Sequence, residues 1–459
     1  MTFASKKIRS VGSYFLLLFF FVFFLQPLGE IAILIMSLLM GALLCALFLK
    51  HKLQVNGFAF IIYGLLTIGV VNYILGTPWY DYYFPILVPF FPFLLIHYLI
   101  TVPKKKIPLG SALLIMIMGL FVSVIYQTVL HNGVYNYFWL GEFRFFLAFL
   151  VFLSIYMLLE LGIISLRYVV IALILSVFPE IIYVIVLYFQ QGLASKILTE
   201  RFGGSVEVQA NQIASWLDLS FPLVLFVAIH EKKFFSRILF SFLSVIYGAC
   251  MLMTATRGSF FGLLILPPFF AFTARSLRAT FLVLLVAFGS IGVFGRGMLQ
   301  RTFNPNRAEW ESNSIRTGLL KAAFSMAKAN HYLFGIGFDN FKHEKYKYGF
   351  IKFYDPDEHM SSHNEFVEIF LGWGAIGLFG WLYLILGSII YSARIRLPPE
   401  TAYLRNGLIV AIVISSIHGL FDSIIGSFTF IVFLFSVFAC LSFLCKQGML
   451  RKLPDFAPR

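Results

Sequence analysis

The sequence predicts an all-α polytopic integral membrane protein. Of its 459 residues, 60% are hydrophobic and only 12% are charged, and 56 are phenylalanine. A water-soluble chain of this length could not bury so much apolar surface, because soluble domains carry about 25% charged residues. The apolar residues also gather into runs, and a membrane-spanning helix needs about 20 consecutive apolar residues.

Fourteen apolar runs reach the length of a transmembrane helix, for which about 17 residues is the lower limit. They are 11–28, 31–49, 55–75, 84–102, 108–130, 143–161, 168–189, 211–230, 238–254, 258–274, 279–295, 365–392, 406–424 and 426–445. The first two are joined only by "LQPLGE", so we expect about 12–14 spans. The N-terminal "KKIRSVGSYFLLLFFFVFF" lacks a small-residue cleavage site and is expected to stay as the first span.

The net charge of +14 is mostly a topology signal. When the connections are numbered alternately, one side collects 21 of the 35 basic residues. The other side, leaving aside the long segment 296–363, has only four, which are Arg144, Lys196, Arg201 and Arg257. Because short cytoplasmic loops are rich in Lys and Arg, this asymmetry predicts that both termini are cytoplasmic. The basic charge is therefore no indication of nucleic-acid binding.

The spans and the long segment divide the chain into four parts. We expect N-terminal transmembrane helices in 1–195, helices that carry arginine motifs in 196–295, an outer-face catalytic loop in 296–363, and C-terminal helices with a cytoplasmic tail in 364–459. The loop contains a predicted helix over 314–329 that begins at Ser314 as N-cap. One face of this helix is apolar and consists of Ile315, Leu319, Ala322, Ala323 and Met326. The folded loop is expected to form a lid over a site at the membrane surface.

Four polar residues stand out because the topology places all of them on the outer face: Arg201, Arg257, Arg316 and His363. A charge near hydrocarbon costs several kcal/mol unless it is paired or hydrated, which makes Arg257 a candidate functional residue. Each residue alone has a simpler explanation. Arg257 could be a snorkelling cap of a tight turn, Arg201 and Arg316 solvated loop residues, and His363 an interfacial histidine. Their convergence favours a functional site.

The stretch "SSHNEF" points to the chemistry of that site. Ser362 and Glu365 have the spacing of a capping box, which predicts Ser362 as N-cap and His363 in the first helical turn. A helix N-terminus disfavours a protonated imidazole, so His363 is expected to be neutral, as a general base must be. The arginine fork binds phosphate oxygens. This combination is suited to transfer from a lipid pyrophosphate; for Glu368, a candidate role is an ion pair with one of the arginines.

The sequence predicts no metal site and no cofactor. Cys45, Cys250, Cys440 and Cys445 lie in apolar runs without metal-ligand spacing and are expected to be inert core residues. The "DPD" at 355–357 has no further ligand at a suitable spacing.

These motifs resemble the superfamily of O-antigen ligases and O-antigen polymerases. The similarity lies in "NSIRTGLLKAAFSMAKANHYLFGIGFDNF" and "SSHNEFVEIFLGWGAIGLFGWLYL", roughly 313–384, with weaker matches in "TATRGSFFG" and "RFGGSVEVQANQIA". The chain departs from the family pattern at His331–Tyr332, where a proline is usual, and at Thr256, where a serine is usual.

The resemblance implies a GT-C-like fold and a metal-independent, inverting glycosyltransferase of the bacterial cytoplasmic membrane. The donor would be a glycan on undecaprenyl pyrophosphate in the outer leaflet. The acceptor would be a sugar hydroxyl, on lipid A-core for a ligase or on another lipid-linked unit for a polymerase. His363 would act on the acceptor with support from Asn364, and Arg257, Arg316 and Arg201 would hold the diphosphate. The ligase type is favoured slightly, and the motifs do not separate it from a polymerase.

A lipid-linked glycan flippase or transporter is the alternative from another class. It predicts polar residues at mid-span and related halves of the chain. The apolar runs are nearly free of charge, which favours the transferase. A purely structural scaffold would leave the arginines and the histidine unexplained.

Overall fold

The computed structural model describes residues 95–96, 98–102, 107–130, 138–178, 181–182, 185, 210–254, 256–274, 307–329, 332–350 and 361–450. Within these ranges all regular structure is helical, which confirms the predicted all-α polytopic class. The helices are α1 (Gly110–Leu130), α2 (Phe138–Glu160), α3 (Leu166–Ser176), α4 (Ala210–His230), α5 (Phe234–Met253), α6 (Arg257–Ala274), α7 (Arg307–Ala329), α8 (Phe341–Glu344), α9 (Glu365–Arg394), α10 (Pro399–Gly419) and α11 (Phe428–Leu450). Short 3₁₀ helices cover Lys345–Tyr348 and Ile424–Gly426.

Six of these helices, α1, α4, α5, α9, α10 and α11, are long and apolar enough to cross a membrane. The predicted spans over 11–28, 31–49, 55–75 and 279–295 lie outside the described residues. The span predicted over 406–424 is wrong at both ends, because α10 begins at Pro399 and ends at Gly419. Proline fits the first position of a helix, where no N–H is needed. The early end leaves residues 420–427 as a connection that contributes to the site described below.

Helix α4 is central in the bundle and contacts α3, α5, α6, α10 and α11. Helices α1 and α9 pack closely against each other because glycines line their interface. A Cβ atom on Gly119 would lie 2.6 Å from the Cα of Gly377, and one on Gly380 would lie 2.5 Å from the backbone nitrogen of Met116. Small residues at membrane helix interfaces allow such close backbone approach. Of the four cysteines, Cys250, Cys440 and Cys445 are buried in the core, as predicted, and Cys45 lies outside the described residues.

The bundle has two distinguishable ends. At one end, side chains of α4, α6 and α9 meet the connection after α10, and we call this the site end. The helices that begin there are α2, α4, α6, α9 and α11, and α10 ends there. Helices α2 and α4 finish at the opposite end, at Glu160 and His230. The charge distribution predicts that the site end faces outward.

Helix α7 covers part of the site end. It begins at Arg307, so the predicted start at Ser314 is wrong, and Ser314 is exposed within the helix. The predicted apolar face is confirmed, since Leu319 and Met326 are fully buried against Phe341, Phe350 and Leu371. This second core joins the segment to the first turns of α9.

The turn 332–340 is docked on a break in α9. At Gly374 the backbone leaves the helix (φ 67°, ψ −168°), and a Cβ atom there would collide with the carbonyl of Leu333. The opened backbone of α9 is hydrogen-bonded by the turn: Ala375 N–H donates to Tyr332 O at 2.8 Å, and Gly337 N–H donates to Gly372 O at 2.9 Å. Only glycine adopts this conformation without strain. The docked turn therefore fixes the first half of α9, on which the opening residues of the site depend.

Candidate functional site

His363 lies just before α9, with its backbone in the left-handed region at φ 53°. The N-cap is Asn364, whose side-chain Oδ1 accepts a hydrogen bond from Val367 N–H at 3.0 Å. The predicted capping box is therefore wrong, and His363 is outside the first helical turn. Asn is as good an N-cap as Ser, and here it also donates from Nδ2 to Leu420 O at 3.0 Å. The Asn364 amide thus ties the start of α9 to the connection after α10.

The side chain of His363 pairs with Asp422, a residue that the sequence analysis did not select. The distance from His363 Nδ1 to Asp422 Oδ1 is 2.8 Å, and the His363 side chain is 25% exposed. Asp422 also accepts hydrogen bonds from Ser423 N–H and from the side-chain amide of Asn211 at the start of α4. A signal was present, because Asp422 is the single Asp, Glu, Lys or Arg between residues 406 and 445.

The environment of Asp422 favours its carboxylate form. Burial raises the pKa of this carboxyl, but the hydrogen bond and charge of His363, together with the charges of His418 and Arg316, lower the pKa below its ordinary value. An ionised Asp422 accepts the proton of His363 Nδ1. The other ring nitrogen, Nε2, is then the one that can accept a proton from a substrate.

Glu365 and Glu368 have structural partners in place of the predicted ones. Glu365 is buried and accepts a hydrogen bond from Trp381 Nε1 at 3.2 Å, so it is not a capping residue. Glu368 accepts the backbone N–H of Ser362, which replaces the suggested ion pair with an arginine. Glu368 thereby holds the backbone immediately before His363.

Arg257 and Arg316 come together through α7. Arg257 is the first residue of α6, and its Nη2 donates to Asn313 Oδ1 at 2.9 Å. Arg316 lies one turn after Asn313 on α7, close enough for its charge to act on Asp422. The predicted residues Arg257, Arg316, His363 and Asn364 are thus all at the site end, while Arg201 lies outside the described residues. Their roles remain predictions.

The cluster combines three chemical capabilities. The His363–Asp422 pair offers a proton acceptor, and two arginines offer positive charge and bidentate donors. The adjoining helices α4, α9 and α10 are long and apolar enough to span a membrane. Together these properties suit an anionic lipid substrate whose reaction removes a proton from a hydroxyl group.

A comparison with protein families gives one match. Residues 242–382 match the family described as O-Antigen ligase, and this stretch contains Arg257, Arg316, His363 and Asn364. The comparison with curated proteins gives no match. The family match confirms the resemblance seen in the sequence motifs and agrees with the membrane-spanning helices of the bundle.

Proposed function

We propose that this protein is a glycosyltransferase. The premise is that residues 242–382 match the O-antigen ligase family and belong to a bundle whose helices are long and apolar enough to span a membrane. It transfers a glycan from undecaprenyl pyrophosphate to a sugar hydroxyl at the outer face of the bacterial cytoplasmic membrane. The His363–Asp422 pair is the observation that carries the proposal.

His363 acts as the general base. Asp422 holds Nδ1–H in place, so Nε2 is presented to the acceptor hydroxyl and takes its proton as the oxygen attacks. The same division of roles between a histidine and a buried carboxylate operates in other enzymes that activate a hydroxyl group. Asn364 supports His363 by fixing the backbone next to it.

The arginines act on the leaving group. As the acceptor oxygen bonds to the anomeric carbon, the bond from that carbon to the phosphate oxygen breaks, and the electron pair leaves with the diphosphate. Arg257 and Arg316 are placed to stabilise the departing charge, and Arg201 is proposed to assist them. A single displacement of this kind inverts the anomeric configuration and requires no metal ion in the step as written.

Two candidate functions share or rival this chemistry. A polymerase uses the same step with another lipid-linked unit as acceptor, whereas the ligase type uses lipid A-core. A flippase or transporter moves the lipid-linked glycan without forming a glycosidic bond, and in that case the His363–Asp422 pair has no chemical step to perform. The family match supports the transferase chemistry common to both types, and the ligase type is proposed because it is the description that the matched family carries.

Reconstitution into proteoliposomes with undecaprenyl-pyrophosphate glycan and candidate acceptors tests the proposal. We expect His363→Ala to lose about 10²–10⁴-fold of the transfer rate, the usual contribution of a general base, and Arg257→Ala to lose a comparable amount. His230→Ala is the matched control, because His230 stacks on Tyr403 at the opposite end of α4 and should leave transfer unchanged.

The products separate the candidates. A single addition to core indicates a ligase, and a ladder of lengths indicates a polymerase. Translocation of labelled donor with no new glycosidic bond indicates a transporter. Wild-type transfer rates in both His363→Ala and Arg257→Ala would show that the proposed mechanism is wrong.

A further inference from the structure

A second histidine–aspartate pair lies inside the bundle, beneath the first. His418 Nδ1, in the last turn of α10, forms a short contact with Asp218 Oδ2 of α4. Ser259 Oγ of α6 is 3.3 Å from the same nitrogen. The side chains of His418 and Asp218 are 1% and 0% exposed, so this pair is completely withdrawn from solvent. The proposed mechanism does not use it.

Such a pair contributes little net stability to helix packing. Burying two charges removes their hydration, and replacing a buried ion pair with apolar residues is often neutral or stabilising. Ionisable residues within membrane spans therefore usually serve function.

The network touches the elements that carry Arg257 and Asp422. Ser259 follows Arg257 by two positions at the start of α6. The carbonyl of His418 accepts the N–H of Asp422 at 3.1 Å, so the end of α10 sets the backbone that presents Asp422 to His363. Asp218 is two turns along α4 from Asn211, the side chain that bonds to Asp422.

Gly258 provides the space for this arrangement. A Cβ atom at this position would lie 2.5 Å from Cδ2 of His418 and 2.8 Å from its Cα, so any larger residue would displace the histidine. The three residues of "RGS" (257–259) thus have different contacts. Arg257 donates to Asn313 of α7, Gly258 leaves room for the His418 side chain, and Ser259 Oγ lies within hydrogen-bonding distance of His418 Nδ1.

We propose that Asp218, His418 and Ser259 form a positioning network that holds Arg257 and the His363–Asp422 pair in register for the transfer reaction. This inference rests on the proposed function. His418 also supplies positive charge next to Asp422 and so sustains the carboxylate that orients His363. Among the described residues, the other charged or titratable groups around His418 are Asp218 on α4, Glu365 on α9, which approaches the neighbouring Gly419, and Arg316 on α7, which acts on Asp422.

The test uses the full chain in proteoliposomes with undecaprenyl-pyrophosphate glycan and acceptor. We expect His418→Gln and Asp218→Asn each to lower kcat about 10–10²-fold, as small misplacements of reacting groups do, with a smaller change in KM for the donor. The double variant should be no worse than the poorer single variant, because the two residues act as one unit. A role in packing alone would instead lower the fraction of folded protein and leave kcat per folded molecule unchanged.

Two glycine variants distinguish a loss of positioning from a loss of folding. Gly258→Ala pushes on His418, whereas Gly262→Ala, one turn along, pushes on the side chain of Ile414 at the same helix interface, where its Cβ would lie 2.5 Å from Cγ2. We expect similar losses of thermal stability but a marked loss of kcat only for Gly258→Ala. Equal kcat in both glycine variants would refute the positioning role.

The two proposals fail in different ways. If the wild type transfers glycan and His363→Ala does not, but the Asp218 and His418 variants keep the wild-type kcat, the network has no positioning role while the transferase proposal stands. If His363→Ala transfers as well as the wild type, the transferase mechanism itself is wrong.

Discussion

The two ends of the bundle use acidic residues in different ways. At the opposite end, Glu160 pairs with Lys446 and Glu231 pairs with Arg167. At the site end, Asp339 also pairs with Lys342 and Arg144, but the two acids deeper in the bundle have histidine partners: Asp422 pairs with His363 and Asp218 pairs with His418. Lysine and arginine stay charged at any working pH, whereas histidine gains and loses a proton near neutrality. The first kind of pair is suited to holding structure, and the second to moving or orienting a proton.

The surroundings of the pairs reinforce this contrast. Each Lys or Arg pair at the opposite end is close to a helix terminus, and Arg405 there also bonds to the carbonyl of Ile395 at 2.7 Å. At the site end the carboxylate of Asp422 is shared among a histidine, an amide and a backbone N–H contributed by three segments of the chain. The site-end pair is therefore the convergence point of several elements, which is typical of a functional centre.

The largest effect on the transfer rate is expected from a carboxyl-to-amide substitution, made in one pair at each end for comparison. Asp422→Asn keeps the shape of the side chain but favours the wrong tautomer of His363, and we expect transfer to fall about 10³-fold with little loss of folding. The isosteric control, Glu160→Gln, should lower stability and leave kcat per folded molecule unchanged. Rates of purified, folded protein measure the difference, and equal kcat values for both variants would remove the functional distinction between the ends.

Breaking a pair at the opposite end should be the largest effect on stability. Lys446→Met leaves Glu160 buried without its counter-ion, and removing one member of a buried pair costs about 3–5 kcal/mol. We expect a clear fall in thermal unfolding temperature in detergent and normal kcat for the folded fraction. The double variant Lys446→Met with Glu160→Leu should recover much of the stability. A failure to recover would indicate that the pair does more than neutralise charge.

The sequence predicts the helices and their ends better than it predicts the pairs that their side chains form. Hydropathy gives the helices directly. The start of α9 and the short connection before Arg257, where α6 begins, follow from where the apolar runs stop. The choice of N-cap between Ser362 and Asn364 cannot be made from spacing, because both residue types cap well.

The acidic partners of the histidines were missed for a different reason. The pairs join residues 59 positions apart (His363–Asp422) and 200 positions apart (His418–Asp218), so no local pattern connects them. A single charge inside an otherwise apolar stretch is the signal that the sequence does provide, and Asp422 and Asp218 both carry it.

The docked turn offers a test of how strongly the site end depends on its scaffold. Gly374→Ala places a side chain at φ 67° against the carbonyl of Leu333, and a strained residue of this kind costs about 1–3 kcal/mol. We expect lower stability together with lower transfer, because the first half of α9 loses its support. Gly349→Ala is the matched control, since Gly349 also has a positive φ of 85° but has open space around it. It should lower stability alone; a similar loss of kcat in both would show that strain, not docking, is responsible.

The smallest expected effect is the response of the two ends to acid. The pKa of Asp422 is lowered in the folded protein, and the pKa of Glu231 is lowered as well, because hydrogen bonds from the Lys233 and Lys232 backbone and the charge of Arg167 outweigh the effect of its burial. A carboxyl whose pKa is lowered on folding adds stability above its unfolded pKa, about 4 for Asp and Glu, and this stability is lost as the pH falls through the folded pKa. The stability that Asp422 and Glu231 contribute should therefore be lost only below about pH 4, and Asp422→Asn and Glu231→Gln should each flatten the pH dependence of thermal unfolding. Transfer should fall at a higher pH than stability does, because a general base acts only in its unprotonated form and histidine side chains are in general weaker acids than carboxyl groups. Activity and stability that decline together, at one pH, would mean that the site-end histidine does not govern the reaction.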